Sequence, residues 1–109
     1  MPNGWELNGV RVISVKALKD FWIDHADAEG ALRAWFDDAE QAAWRNPMDM
    51  KASYSTASVL GNNRVVFNIK GNDYRLVVAV AYRFEAVYVK FVGTHAQYDA
   101  IDAATVEMD

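Results

Sequence analysis

The segment from Arg64 to Thr94 constrains this chain most. It carries three consecutive strand patterns in which apolar and polar side chains alternate. Between the first two, Gly71-Asn72 is a two-residue hairpin signal that suits a type II′ turn. With those two residues as the loop, Lys70 faces Asp73, Asn68 faces Arg75, Val66 faces Val77 and Arg64 faces Ala79. A second turn at Phe84-Glu85 sets Ala79 opposite Lys90, Val77 opposite Val92 and Arg75 opposite Thr94. Both hairpins then put Val65, Phe67, Ile69, Leu76, Val78, Val80, Val87, Val89 and Phe91 on one apolar face. Arg64, Asn68, Lys70, Arg75, Tyr88, Lys90 and Thr94 share the other. A one-residue slip would bury the cations, so the pattern favours this register.

Charge follows the same division. The 109 residues carry a net charge of −4, which as a whole disfavours a general nucleic-acid binder. Residues 1–50 hold five Lys/Arg against nine Asp/Glu, and the tail from Asp99 onward adds four acids and no base. Residues 51–98 run the other way, with Lys51, Arg64, Lys70, Arg75, Arg83 and Lys90 against Asp73 and Glu85. An anionic partner is therefore expected on the sheet segment. A hydrophobic content of 52% marks a folded chain, and its length suits a single domain, residues 1–109. No cysteine is present, and the two histidines lie far apart, so no metal or cofactor is expected. No apolar run approaches the roughly 20 residues of a membrane span, and the expectation is a cytoplasmic protein with no membrane partner.

Upstream, residues 1–9 read as a loose leader and Arg11 to Ser14 as a short strand running into a helix. Leu18, Phe21, Trp22 and His25 fall on one helical face, where His25 reads as a packing histidine. Asp27 is a candidate N-cap for a second helix whose apolar stripe is Leu32, Trp35, Phe36, Ala39 and Ala43. Asn46-Pro47 is expected to end that helix. Asp49 to Tyr54 suits one more short turn, and Ser55 to Asn63 reads as a polar connection. Thr94 with Gln97 three residues on is a capping-box pattern that opens a final short helix.

These residues resemble a known family. NNRVVFNIKGNDYRLVVAV and VYVKFVGTHAQYDAID are similar to the HigB-type toxins of bacterial toxin–antitoxin systems, with GNDYRL and GTHAQYD the most diagnostic segments. RVISVKALKDFW, ADAEGALRAWFDDAEQAAW and DMKASYSTASVLGNNRVVF resemble that family's N-terminal half, so the likeness spans about Arg11 to Asp102. It implies an α+β, RelE-like fold with two N-terminal helices on one face of a small antiparallel sheet and a short C-terminal helix. It also implies an mRNA interferase, usually acting on ribosome-bound message. The implied silencing partner is a HigA-type helix-turn-helix antitoxin, through which alone the protein would meet DNA. The unusually acidic helices (Asp20, Asp24, Asp27, Glu29, Asp37, Asp38, Glu40) depart from the basic character common in this class.

A metal-independent ribonuclease activates a 2′-hydroxyl, neutralises a pentavalent phosphorane and protonates the leaving 5′-oxygen. Arg75 is the candidate bidentate grip on phosphate, with Lys90 as a point charge beside it. His95 is the candidate proton shuttle, because histidine titrates nearest neutral pH. Tyr98, one turn further, is placed to donate a proton or stack on a base. Arg64, Asn68 and Lys70 are candidate RNA contacts, and the products would be a 2′,3′-cyclic phosphate and a 5′-hydroxyl. Each residue also has a plain structural reading: Arg75 as a solvated sheet residue, Lys90 as edge-strand charge, His95 as an exposed helix-start residue, Tyr98 as edge packing. Two further readings stand beside the ribosome-dependent nuclease. One is a ribosome-independent RNase; the other is a non-catalytic module binding RNA or the antitoxin.

Overall fold

A computed structural model describes residues 11–42 and 44–108. The leader, residues 1–9, and Ala43 lie outside the described residues. In chain order the elements are β1 (Arg11–Ile13), α1 (Val15–Asp24), a 3-10 turn (Ala26–Ala28), α2 (Glu29–Gln41), α3 (Pro47–Ser53), β2 (Ser58–Val59), β3 (Arg64–Ile69), β4 (Tyr74–Ala81), β5 (Ala86–Thr94) and α4 (His95–Asp99). The sheet order is β1-β5-β4-β3-β2. All neighbours are antiparallel except β1 and β5, which run parallel. The fold is α+β as expected, but the sheet is mixed rather than purely antiparallel. The chain leaves β1 through the helices, enters the opposite edge of the sheet as β2, and comes back beside β1 only as β5, which runs parallel to it.

The α1, α2 and α3 layer covers one face. Leu18, Leu32, Trp35, Ala39, Trp44 and Met50 meet Val65, Phe67, Leu76, Val78, Val80, Val87 and Val89 there, all at most 3% exposed. Phe67 is the aromatic hub, with the rings of Trp35, Trp44 and Tyr54 5.1–6.2 Å away. Two local readings change. Asp27 is not an N-cap, because α2 follows a 3-10 turn without a side-chain cap and Asp27 bonds across to the sheet. Asn46-Pro47 does not end α2, which stops at Gln41. It starts α3, with Asn46 Oδ1 accepting from Asp49 N–H and proline in the first turn, where its missing donor costs nothing. The polar connection after α3 also contains β2.

The first hairpin has the expected register: Arg64 pairs with Ala79, Val66 with Val77 and Asn68 with Arg75. Asp73 N–H donates to Lys70 O at 3.2 Å across the Gly71-Asn72 loop, with Gly71 at φ 64°. The second register differs. Ala81 pairs with Ala86 and Ala79 with Tyr88, so the turn spans Tyr82–Glu85. A bulge between Val77 and Val78 then leaves Lys90 as the extra residue. Beyond it the phase reverses: Val92 enters the helix-side core and Phe91 moves to the opposite face. Phe91 therefore does not belong to the helix-covered set.

That opposite face is not an open cationic floor. Val66, Val77 and Ala103 form a second small core there with Leu60, Phe91, Tyr98, Ile101 and Val106 packed against it. The segment after α4 crosses the sheet as a strap.

Candidate active site

At one end of the strap-side face, three sequence-identified groups come together. Arg75 projects from β4 beside the hairpin loop. Its Nη1 donates to Asn72 O at 3.1 Å and Tyr74 O at 3.2 Å, and its Nη2 to Asn72 Oδ1 at 3.3 Å. A guanidinium has five N–H donors, so these bonds leave the Nε–H and one Nη2–H without a partner among the described residues. That side-on pair is the edge with which arginine grips two oxygens of one phosphate. The Arg75 guanidinium carbon lies 5.9 Å from the centre of the Tyr98 ring, the outer limit of a cation–π contact.

The capping box places α4. Gln97 N–H donates to Thr94 Oγ1 at 3.1 Å, and Thr94 N–H donates to Gln97 Oε1 at 2.9 Å. The His95 backbone N–H donates to Asp73 O at 3.2 Å, stitching α4 to the hairpin loop that also orients Arg75. His95 is exposed, and its Nε2 stands 3.7 Å from Asp99 Oδ1, one helical turn on. Tyr98 is half-buried against the second core. Asn68 is exposed opposite Arg75 on β3.

The other cations have different partners. Lys90 does not stand beside Arg75, whose partner on β5 is Gly93; three residues of strand separate them, roughly 10 Å. Its Nζ is 2.7 Å from Glu107 Oε1 and 5.9 Å from the Tyr88 ring centre. Arg64 is 5% exposed. It donates to Val106 O at 2.6 Å, Ala103 O at 3.3 Å and Glu107 Oε2 at 2.7 Å. Lys70 is not on the strap-side face: it pairs with Asp27 at 2.9 Å, on the helix side, and with Asp73 at 3.6 Å. Those contacts raise the Lys70 ammonium above its ordinary range, through the Asp27 hydrogen bond first. The Tyr74 hydroxyl and Lys70 together hold the Asp27 carboxyl low.

Three participants escaped the sequence reading. Asn72 had a signal only as a turn residue, not as the acceptor that orients Arg75. Asp99 stands four residues after His95, a helical spacing that was there to be read. Glu107 had none, since its partners are 17 and 43 residues away in the chain. A cleft of about 230 Å³ between α1 and α2, lined by Trp22, Phe36, Arg33, Lys19 and Asp37 among others, lies on the helical side, away from Arg75, His95 and Tyr98. No helix among the described residues is long and apolar enough to cross a membrane.

Residues 28–101 match the family described as HigB toxin, RelE-like toxic component of a toxin–antitoxin system. Among curated proteins, the chain is similar to the mRNA interferase toxin HigB of Escherichia coli K12. It is likewise similar to the mRNA interferases HigB of Escherichia coli O157:H7 and Shigella flexneri. Each is 27% identical over 96 residues, covering 86% of this chain and 92% of the relative.

Proposed function

The chain belongs to the HigB toxin family, the RelE-like toxic component of a toxin–antitoxin system, and from that premise we propose that it is an endoribonuclease that cleaves mRNA in the cytoplasm. The relatives named mRNA interferase support the reaction class. The observation that carries it in this chain is the open Nε edge of Arg75 at the same end of the sheet as His95 and Tyr98. Arg75 binds the scissile phosphate and stabilises the charge that grows on it. His95, 3.7 Å from Asp99, takes the proton of the 2′-hydroxyl and delivers it to the leaving 5′-oxygen, while Tyr98 stacks on a base or donates to that oxygen in its place. Attack by the 2′-oxygen forms a new P–O bond and breaks the P–O5′ bond. The ends are a 2′,3′-cyclic phosphate and a 5′-hydroxyl.

The substrate is message on the ribosome, and a HigA-type antitoxin silences the activity. Asn68, beside Arg75, contacts the same RNA strand. Primer extension on a reporter mRNA after brief induction tests the reading. Wild type should create discrete new 5′ ends inside translated codons, and Arg75→Ala should lower them on the order of a hundredfold. Soluble wild type that creates no new ends would defeat the nuclease assignment. A ribosome-independent activity is the second reading, favoured by the exposed carboxylates of α1 and α2, which disfavour docking on ribosomal RNA. It predicts cleavage of free RNA by the purified protein.

A further inference from the structure

Two of the cations that the sequence pattern offers to RNA, Arg64 and Lys90, are held by one carboxylate of the same chain. Residues after α4 form a strap across the sheet: Asn62 Nδ2 donates to Ala104 O at 2.9 Å on the β3 side, and Met108 lines a cleft with Ser14 and Lys16 on the β1 side. Where the strap passes over β3 and β5, one Glu107 oxygen is 2.7 Å from Arg64 Nη2 and the other 2.7 Å from Lys90 Nζ. A carboxylate forked between two cations makes the contact pattern of two non-bridging phosphate oxygens. The arginine is buried, with its side chain 6% exposed, whereas the Glu107 side chain is 59% exposed. The occupant can thus swing away while Arg64 stays fixed. The strap backbone need not move, because Arg64 Nη1 still holds the carbonyls of Ala103 and Val106. Tyr88, 38% exposed beside Lys90, offers a ring face on which a base can stack.

We propose that Arg64 Nη2 and Lys90 Nζ form a subsite for a backbone phosphate of single-stranded RNA, away from Arg75, and that Glu107 fills it as an internal competitor until RNA displaces it. The proposal rests on the RNA-cleaving reading for its ligand but not for its test. The shared chemistry is a phosphate, so free phosphate and the RNA backbone have to be told apart.

Fluorescence anisotropy with a short 2′-O-methyl oligoribonucleotide, which has no free 2′-hydroxyl for attack, reads binding without cleavage. Glu107→Gln should bind about fivefold more tightly than wild type. Its plot of log affinity against log salt should steepen by about 0.7, one added phosphate contact on a single strand. Asp37→Asn, which removes the same charge from α2, should change nothing. Lys90→Ala combined with Glu107→Gln should return to wild-type affinity. The subsite is refuted if Glu107→Gln binds no tighter, if its gain survives loss of Lys90, or if Asp37→Asn matches it. If millimolar inorganic phosphate raises the melting temperature of Glu107→Gln while oligonucleotide affinity stays at the wild-type level, the site takes a free ion and the RNA assignment falls. Wild type that binds the oligonucleotide but leaves cleavable RNA intact would sink the nuclease reading alone.

Discussion

Arg64 and Arg75 look alike in the sequence, each a cation on an alternating strand, yet they do opposite things. Arg75 is half-buried with its Nε edge open. Arg64 is enclosed by the strap, and its Nη1 holds two backbone carbonyls that have no other partner among the described contacts. Removing it strands those acceptors under a buried Ala103. Arg64→Ala should therefore cost about 1–3 kcal/mol of stability, the scale of leaving buried polar groups unsatisfied. Arg83→Ala, which takes an exposed cation from the same basic segment, should stay within about 0.5 kcal/mol. Urea unfolding of both variants checks this; equal effects would mean that Arg64 is not an anchor. Nothing local in the sequence separates the two arginines. The difference comes from a tail that reads only as acidic and polar until it is seen to lie on β3.

The same division holds for elements. Two adjoining features set α4 over Arg75: the Thr94–Gln97 capping box and the absence of a side chain at Gly93. A Cβ on Gly93 would stand 2.5 Å from the Phe91 ring and 2.8 Å from Gln97 Oε1, the atom that closes the box. Gly93→Ala should push on both, at about 1–3 kcal/mol for overpacking. RNA cleavage should fall by more than the lost folded fraction accounts for, because His95 and Tyr98 ride on that helix. Melting curves alongside cleavage rates test this, and activity that tracks folded protein alone would count against it. The capping box was legible because both partners sit within four residues, and the first hairpin because a two-residue loop leaves one register. The second hairpin was not legible. The run from Val89 to Val92 is apolar on both sides of Lys90, so hydrophobic pattern tolerates either phase, and the bulge is decided by packing against Val77 and the strap. The parallel pairing of β1 likewise depends on a partner some 75 residues away, beyond any local signal.

At the scale of the whole molecule, the helical layer is tied to the hairpin that carries Asn72 and Arg75 by one polar clasp. Asp27, just ahead of α2, accepts from the Tyr74 hydroxyl and from Lys70 Nζ, while His25 stacks on Phe21 with ring centres 4.1 Å apart and meets Tyr74 edge-on. These bonds hold the Asp27 carboxyl below its ordinary value of 3.8, the Tyr74 hydrogen bond contributing most. A carboxyl depressed in the folded state stabilises fully above its unfolded value and loses that contribution as pH falls through its folded one. Asp27→Asn should therefore melt below wild type at neutral pH. The gap should be unchanged down to about pH 4 and close as the solution is acidified further. Some acid sensitivity should survive in the variant, because Lys90 and Arg64 hold Glu107 low in the same way. On the alkaline side the sign reverses: Lys70, raised above 10.5, stabilises below that value and ceases to as it deprotonates. Melting temperatures of the two proteins across the acid range decide the matter. A gap as wide at about pH 3 as at neutral pH would mean the clasp acts by packing rather than by the Asp27 charge.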